Sequence, residues 1–405
     1  MKLLLTNHEL DVAKGGTQAF IMDFAPTLKA RGHEVAVYAP RLGPLAEELR
    51  GRGVPVMAEV RCSPFTPEMI HGQHHLPTMT ALCAFPETPA IYYCHGYRPW
   101  EEQPPVHPRI RRYVGMAKVM TDWLAGATGR KPEEVAVVPN SIRLERFQQV
   151  RTLGLHPRRA LVFGNTAISG ENLAKLRQAC EQRGLTLDLV GATFGTTTVA
   201  PQDLLPEYDV VFAVGRCALE ALASGCAVIP FSSVGAMPMV LPDTFERHAE
   251  INFAVPETVR PLTVEFLVQN LEQFDSGRAA EVTRLVRSRL GFEQTCHQFE
   301  ELYAQVGEEW RVVARPAESE ERAAVVTYLE ALSSRMGSTD QRYTELLEIK
   351  DRTRLRLGKM KTKFDALEQK HTELRGKYDA LGKKWDWMER RLPGVVRNWL
   401  LRGFK

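Results

Sequence analysis

The sequence feature that most constrains the fold is an alternation of short apolar runs with longer amphipathic segments. From the N-terminus, the runs MKLLLTN, HEVAVYAP and VPVMAEV are separated by TQAFIMDFAPTLKARG and PLAEELRGRG. Nearly continuous apolar strands between amphipathic helices are typical of a parallel sheet that helices cover on both faces. The sequence therefore predicts an α/β fold.

The alternation occurs twice. PAIYYCHG and VAVVPNS complete the first series, and RALVFGN, LTLDLVGA, YDVVFAV and CAVIPFS form a second one. The segment LHPRR at 155–159 interrupts the apolar pattern with a proline and basic residues, which is typical of a hinge. We predict one α/β domain over residues 1–154 and another over 155–306, closed by helices at about 264–305. A ligand site is expected in the cleft between them.

The C-terminal part has a different pattern. We predict a linker and short helix over 307–340, and then a coiled coil over 341–392, because large apolar residues recur with 3,4 spacing over seven heptads. One heptad position takes Tyr343, Lys350, Leu357, Phe364, His371, Tyr378, Trp385 and Leu392; the other takes Leu346, Thr353, Met360, Leu367, Leu374, Leu381 and Met388. The alternative is a single amphipathic helix on the globular body, but the intervening charged residues favour the coiled coil. A coiled coil predicts a homo-oligomer.

The last residues, 393–405, form a basic amphipathic tail with the sequence PGVVRNWLLRGFK. Such a segment can bury its apolar face in an acidic membrane surface, and it can equally be a frayed helix end or a docking helix. Residues 341–405 carry a net charge of +9, whereas residues 1–340 carry −6. Acidic residues interleave with the basic ones along the heptads, so a nucleic-acid partner is disfavoured.

Composition sets the broad class. Hydrophobic residues make up 44% and charged residues 25% of the chain, as in soluble globular proteins. The seven cysteines are scattered among apolar residues without a CxxC pair, which indicates buried thiols in a reducing compartment. The N-terminal apolar run is too short for a signal peptide, and no apolar window is long enough for a transmembrane helix. We therefore expect a cytoplasmic protein, with a peripheral place on the inner face of the membrane if the tail binds lipid.

The first loop contains a pair of glycines. In NHELDVAKGGTQAF, Gly15 and Gly16 allow the backbone to turn tightly and approach a ligand, and Thr17 can cap the helix that follows. The pattern is not GxGxxG, so a hydride-transferring dinucleotide enzyme is disfavoured.

Histidines follow two predicted strands. His95 ends the apolar strand of AIYYCHGYRPW, at the rim where open α/β sheets bind ligands. His71, His74 and His75 lie in IHGQHH, but their spacing matches no standard zinc pattern and no cysteine is near. We predict no metal site.

Five landmarks in order resemble those of glycosyltransferase family 4, whose members have the GT-B fold. VAVVPNSIRLERF resembles the family's VxPNGVDxxRF segment, and GGTQAF, ARGHEVAVYAP, CHGYRPW and LEALASGCAVI resemble its first loop, second strand, histidine strand end and LEAMAxGxPVV helix. The resemblance covers residues 1 to about 305. It implies two Rossmann-like domains facing across a cleft, with the donor held mainly by the second domain and the acceptor by the first.

The resemblance also implies a function. The family transfers a sugar from a nucleotide diphosphate sugar, with retention and without a metal, to a glycan or lipid-linked acceptor in cell-surface polysaccharide or glycolipid assembly. The nucleotide sugar is a co-substrate, and no further cofactor is expected. His95 would lie near the transferred sugar.

The donor-binding residues follow from the same resemblance. Glu220 matches the second of two family glutamates separated by seven residues, which binds the ribose, whereas Phe212 stands in place of the first. The amides of Gly215, Arg216 and Cys217 would point at the diphosphate from a helix N-terminus.

The strand end VFGNTAISG departs from the family. Next to Gly164, Asn165 replaces the arginine that neutralises the diphosphate, and Gly170 or Glu171 replaces the lysine. Since no DxD motif is present, we hypothesise that Arg216 supplies the positive charge. The alternative is an Arg216–Glu220 helical pair without a catalytic role.

Two other functions stay open. A catalytically inactive GT-B scaffold would explain the missing charged residues, whereas the retained glycine loop, His95 and Glu220 argue for an enzyme. A nucleotide-sugar epimerase on the same fold would act without an acceptor.

Overall fold

The computed structural model describes residues 1–11, 16–97, 99–165, 168, 170–196, 198, 200–256, 262–391 and 394. Within them the chain divides into two units, Met1–Tyr328 and Leu329–Lys405. The first unit holds two parallel sheets with helices around them, which confirms the predicted α/β class.

The first sheet has seven parallel strands in the order β5-β3-β1-β6-β7-β8-β9. Its strands are Lys2–Thr6 (β1), Glu34–Tyr38 (β3), Val56–Met57 (β5), Met69–Gly72 (β6), Ala90–Cys94 (β7), Ile110–Gly115 (β8) and Val135–Val137 (β9). A separate two-stranded ribbon pairs Glu9–Leu10 (β2) with Arg41–Leu42 (β4). The helices of this part are Gly16–Ala30 (α1), Pro44–Gly51 (α2), His75–Ala84 (α3) and Thr121–Thr128 (α4). The strands are buried because helices cover both sides of the sheet, as their continuous apolar sequences predict.

The second sheet has four parallel strands in the order β11-β10-β12-β13. They are Arg159–Phe163 (β10), Thr186–Val190 (β11), Val210–Ala213 (β12) and Ala227–Pro230 (β13). Its helices are Gly170–Gln182 (α5), Pro201–Leu204 (α6), Gly215–Ala223 (α7), Phe245–Glu250 (α8), Val264–Glu272 (α9) and Ser276–Arg289 (α10). This sheet has fewer strands than the first, but strands and helices alternate along the chain in the same way.

The chain crosses between the two domains earlier than the hinge at 155–159 suggests. Ile142 and Phe147 already pack into the second core, and the Ile142 amide donates to the Leu290 carbonyl at 3.0 Å. Arg159 is the first residue of β10, with its amide bonded to Asp209 at 2.9 Å. The predicted domain boundary at 154/155 stays a prediction. In the structure, Val138 packs in the core of the first sheet and Ile142 in the core of the second, so the chain passes from one core to the other between these two residues.

The helix Phe292–Val312 (α11) differs from the prediction that helices to about residue 305 close the second domain. Phe292, Phe299 and Tyr303 pack into the core of the first sheet. The chain thus returns to the first domain, and the two domains are connected twice.

A single helix, Glu318–Glu389 (α12), follows, so no break marks the predicted boundary at 340/341 between a short helix and the coiled coil. In the first unit its start packs on the first domain through Val325 and Tyr328. In the second unit the described large apolar residues at the two heptad positions are 43% to 78% exposed. The tail prediction for 393–405 lies almost wholly outside the described residues.

The cysteines only partly match the expectation of buried thiols. All seven are free, and Cys94, Cys180, Cys226 and Cys296 are buried. Cys217 is half-buried, whereas Cys62 and Cys83 are exposed. Among the described helices, none is long and apolar enough to cross a membrane.

Candidate active site

A cavity of about 490 Å³ lies in the cleft between the two domains. The first domain lines it with residues from α1 and from the ends of β1, β6 and β7; the second lines it with the start of α7. The carboxyl ends of parallel strands are where α/β proteins bind ligands, so this is the candidate site. Its polar side chains include His8, Gln18, His74, His95, Glu101, Glu102, Asn140, Ser141 and Arg216.

The helix α7 presents its N-terminus to the cleft. Val214 caps it in an extended conformation, and Gly215 has φ +57°, a left-handed conformation that glycine adopts without strain. Arg216 and Cys217 in the first helical turn line the cavity. The first amides of a helix have no intrahelical acceptor, so a helix N-terminus of this kind can bind an anion; binding of the diphosphate here stays a prediction.

Arg216 is held by one carboxylate from each domain. Its Nε donates to Glu220 Oε1 at 3.1 Å, and its Nη2 donates to Asp23 Oδ2, on α1, at 3.0 Å. Burial opposes its charge, but Glu220 and Asp23 outweigh that effect and raise the pKa of Arg216. The helical pair considered from the sequence therefore exists, and it extends to Asp23 across the cleft.

Glu220 does not line the cavity. Its side chain is 11% exposed and lies behind Arg216. Phe212, at the place of the missing family glutamate, is fully buried against Phe231.

The predicted loop residues of the second domain lie beside α7. Gly164 has φ +138°, and a Cβ there would lie 3.5 Å from Cys217 Sγ. Asn165 Oδ1 accepts from the Ala192 amide at 2.9 Å, so it ties two loops together. Neither residue lines the cavity itself.

In the first domain, Gly16 lines the cavity, whereas Gly15 lies outside the described residues. Thr17 was expected to cap α1, but the helix begins at Gly16, so Thr17 is inside it. Its hydroxyl donates to Gln18 Oε1 at 3.2 Å instead of to a backbone group.

His95 lines the cavity, with its ring against Phe20 and Tyr93 at centroid distances of 5.3 and 4.3 Å. Its Nε2 is buried without a hydrogen-bond partner among the described residues. Burial lowers the pKa of His95 to about 4, so the imidazole is neutral at pH 7. A neutral imidazole with a free nitrogen can hydrogen-bond a sugar hydroxyl.

A second polar group of the first domain was missed from the sequence. His74 Nε2 lies 3.4 Å from Glu102 Oε1, and His74 Nδ1 lies 3.3 Å from His8 Nδ1. Glu102 Oε2 also accepts from the His95 amide at 2.9 Å. The only sequence indication was that His8 and His74 each stand just after an apolar strand.

Other histidines of the IHGQHH segment have structural partners. His71 Nδ1 lies 2.5 Å from the Tyr303 hydroxyl in the core, and His75 Nδ1 lies 2.6 Å from the Tyr328 hydroxyl. Among the described residues, no group of three or more His, Cys, Asp or Glu side chains is arranged to hold a metal ion.

Comparisons with known proteins agree with this geometry. Residues 14–146 match the model of Glycosyltransferase Family 4. A glycosyltransferase from Rickettsia africae is 12% identical with a TM-score of 0.57, over 75% of this chain and 98% of its own. The lipopolysaccharide outer core galactosyltransferase WaaB, in its apo form, is 11% identical with a TM-score of 0.53, over 75% and 100%.

A third similar structure contains ligands. Anabaena Alr3699/HepE in complex with UDP and glucose is 14% identical with a TM-score of 0.51, over 75% of this chain and 99% of its own. No curated protein sequence matches the chain at a significant level. The chain therefore has the GT-B fold of these structures, and its residues 14–146 match the model of Glycosyltransferase Family 4. Family model and fold together support a glycosyltransferase.

Proposed function

We propose that the protein transfers a sugar from a nucleotide diphosphate sugar to a glycan or lipid-linked acceptor, with retention and without a metal, in cell-surface polysaccharide or glycolipid assembly. The observation that carries the proposal is the N-terminus of α7, which faces His95 across a cavity of about 490 Å³. UDP and glucose in the similar Anabaena structure support the choice of donor class.

The diphosphate is expected at the first turn of α7. Arg216 keeps a positive charge there, and its Nη1 has no protein partner among the described residues. Charge at the leaving group is the main contribution a protein makes to such a transfer. On this proposal, Arg216 replaces the arginine and lysine that Asn165 and Gly170 or Glu171 no longer supply.

Glu220 binds the ribose in this proposal once the donor draws Arg216 towards the diphosphate. The two partners of Arg216 then have separate roles: Glu220 meets the nucleotide, and Asp23 keeps the guanidinium at the cleft. The amides of Gly215 and Cys217 complete the phosphate site, and Gly16 borders the sugar.

The C-terminal helix makes the protein a homo-oligomer in this proposal, since its apolar heptad positions are exposed in the second unit. A peripheral place on the inner face of the membrane, through residues 393–405, is part of the same proposal. The inactive scaffold remains the alternative, because Phe212 leaves the family's first glutamate position without a carboxylate.

Release of nucleoside diphosphate tests the proposal. UDP-glucose, UDP-galactose, GDP-mannose and ADP-glucose are incubated singly with the full chain, with water or an alkyl glycoside as acceptor, in the presence of EDTA. We expect release from at least one donor, undiminished by EDTA. Release from none of the donors would support a scaffold, and loss of turnover with EDTA would contradict the metal-free mechanism.

A further inference from the structure

The first turns of the long helix α12 pack on the first domain with one face. Glu321, Val325 and Tyr328 follow one another at intervals of four and three residues, which places them on the same side of the helix. All three are half-buried. Glu321 pairs with Arg109 at 3.0 Å, and Val325 and Tyr328 pack against the core of the first sheet. These contacts fix the rotation of the helix about its own axis over residues 321–328.

Tyr328 reaches His75, the first residue of α3. Its hydroxyl lies 2.6 Å from His75 Nδ1, and the two ring centroids are 5.6 Å apart. His75 is 4% exposed, and burial lowers the pKa of its imidazole to about 4, with His74 acting in the same direction. The imidazole is therefore neutral at pH 7, and the Tyr328 hydroxyl is the hydrogen-bond partner of its Nδ1.

His75 in turn supports the single-turn 3₁₀ helix Trp100–Glu102, which follows the end of β7. The rings of His75 and Trp100 meet edge to face, with their centroids 4.4 Å apart. Such a contact between aromatic rings is favourable and restricts how each ring can turn. The other two residues of the 3₁₀ helix, Glu101 and Glu102, line the cavity. A contact that starts on α12 thus ends at the cavity wall.

The 3₁₀ helix is also connected to the candidate catalytic histidine. Glu102 Oε2 accepts from the His95 amide at 2.9 Å, and Glu102 Oε1 lies 3.4 Å from His74 Nε2. Burial raises the pKa of Glu102, but the hydrogen bond from His74 and the nearby His95 outweigh it, so the pKa is lowered. The carboxylate is therefore ionised at pH 7, and it joins the 3₁₀ helix to the end of β7. A shift of this helix would move Glu101, Glu102 and His95 together.

We propose that Tyr328 is a positioning residue of the active site, which sets the place of the cavity wall Trp100–Glu102 through His75. The proposal rests on the proposed function. It gives the start of α12 a role apart from forming an oligomer, because these contacts lie within one chain. The first turns of the long helix complete the wall of the cleft on the side of the first domain.

The physical link is the buried imidazole. Without the Tyr328 hydroxyl, His75 Nδ1 loses its partner, and an unpaired polar atom in the interior costs free energy. The ring is then expected to turn towards another polar group or to admit water, and either change disturbs its contact with Trp100. The diphosphate end of the cavity should not change, because Arg216 and α7 belong to the second domain.

A comparison of two hydroxyl deletions on the same helix tests the role. Tyr328→Phe removes the hydroxyl that faces His75, and the control, Tyr343→Phe, removes one from a ring that is 63% exposed in the second unit. Nucleoside diphosphate release is measured with the donor that wild type cleaves and the acceptor that it uses, water or an alkyl glycoside. We expect kcat to fall about three- to tenfold in Tyr328→Phe, with KM for the donor unchanged. Tyr343→Phe should keep both constants of wild type.

A double-mutant cycle shows whether the effect passes through His75. His75→Phe keeps a ring beside Trp100 but removes the nitrogen that meets the Tyr328 hydroxyl. We expect Tyr328→Phe to lower kcat no further when His75→Phe is already present, because the hydroxyl then has no nitrogen to hold. The same fall in both backgrounds would show that Tyr328 acts by another route, and the proposal would be wrong.

Hydrogen exchange of the wall is independent of turnover. The 3₁₀ helix Trp100–Glu102 is closed by two backbone hydrogen bonds of 3.2 and 3.1 Å. We expect their amides to exchange at least about threefold faster in Tyr328→Phe than in wild type, and at the wild-type rate in Tyr343→Phe. Equal exchange in Tyr328→Phe and wild type would overturn the proposal even if no donor were known.

The outcomes separate the two proposals. If wild type releases nucleoside diphosphate from no donor, the proposed function fails, and hydrogen exchange still decides whether Tyr328 positions the wall. If wild type turns over and Tyr328→Phe keeps its kcat, the positioning role fails while the proposed function stands.

Discussion

Asp23 and Glu220 hold the Arg216 guanidinium from two sides of the cleft, one carboxylate from each domain. Asp23 also faces Arg143, with its Oδ1 3.7 Å from Nη1. Basic and acidic side chains therefore alternate in space, in the order Arg143, Asp23, Arg216 and Glu220. Charges in such an alternation stabilise one another where isolated charges would be costly to bury.

Replacing Asp23 should remove the ion pair between Asp23 and Arg216 and so lower the stability of the fold. Asp23→Asn removes an ionic partner from a largely buried guanidinium, and we expect a loss of about 1 to 3 kcal/mol in the free energy of unfolding. Urea denaturation followed by tryptophan fluorescence measures it. The control is Glu293→Gln, whose carboxylate on Arg31 is 62% exposed and should matter by less than about 1 kcal/mol. Equal midpoints for Asp23→Asn and wild type would show that the bridge contributes nothing.

Buried histidines should make the stability of the folded protein depend on pH. Burial lowers the pKa of His71 to about 3 and that of His95, His107 and His248 to about 4. Each is near 6.5 in the unfolded chain, which therefore binds more protons between those values. Stability present above pH 6.5 is lost as the pH falls towards 4, by up to about 1.4 kcal/mol per pH unit for each histidine.

Melting temperatures at pH 7.5, 6.5, 5.5 and 4.5 check the sign. We expect the melting temperature to fall at each step below pH 6.5. The fall should be shallower in His248→Gln, because that variant has one buried histidine fewer; His248 is chosen because it lies outside the cleft. A melting temperature that is constant from 6.5 to 4.5 would contradict neutral burial.

The sequence could predict some of these residues and not others. The Arg216–Glu220 pair was visible because the two residues are four apart on a helix. Asp23 was not, since it stands 193 residues from Arg216 and meets it only across the cleft. His8, His74 and Glu102 were missed for the same reason: tertiary contacts bring them together, and no local motif marks them.

At the scale of elements, the strands and the helices that follow them agree with the apolar pattern, because that pattern directly reflects burial. The destination of α11 was not predictable in this way. Its apolar face would fit either domain, and only the contacts of Phe292, Phe299 and Tyr303 show that it packs on the first. Amphipathicity tells that a face is buried, but not against which partner.

The start of α12 is attached to the first domain through Arg109. This residue is 2% exposed, and its guanidinium donates to the carbonyls of Phe85 and Thr88 at 2.7 and 2.9 Å. Its Nε pairs with Glu321, on α12, at 3.0 Å. One side chain thus bonds the turn that follows α3 and pairs with the start of the long helix.

Arg109→Met should be strongly destabilising because it leaves buried carbonyls without donors. We expect a loss of at least about 3 kcal/mol in the free energy of unfolding. Glu321→Gln keeps the guanidinium and its carbonyl bonds, so its loss should be about 1 kcal/mol. Urea midpoints of the two variants measure the difference. If the two variants lose the same amount, the carbonyl contacts are not the main contribution.

At the scale of the whole molecule, the described residues of the second unit form no apolar core of their own. Five of its heptad residues are each at least 60% exposed within the chain: Leu357, Phe364, Leu367, Leu374 and Tyr378. An apolar stripe of this length is typical of a coiled coil, where a second helix covers it. The 72-residue helix is long enough for that role, and the oligomer itself stays a prediction.

Two substitutions in the stripe should dissociate the oligomer. Leu367→Asp with Leu374→Asp places charges at the predicted interface, and we expect the full chain to shift to the mass of a monomer in light scattering. The control is Gln369→Asp with Thr372→Asp, on outer positions of the same two heptads, which should keep the mass of wild type. A wild-type chain that is already monomeric, near 45.6 kDa, would contradict the coiled coil.

The central claim is that the cleft binds a nucleoside diphosphate at the first turn of α7, with Arg216 as its cation. Calorimetric titration of the full chain with UDP, GDP and ADP tests it most directly. We predict saturable binding of one of them, weakened at least tenfold in Arg216→Ala and unchanged in Arg278→Ala, whose guanidinium pairs with Asp243 away from the cleft. Binding of none of the three by wild type, or equal affinities in wild type and Arg216→Ala, would contradict it.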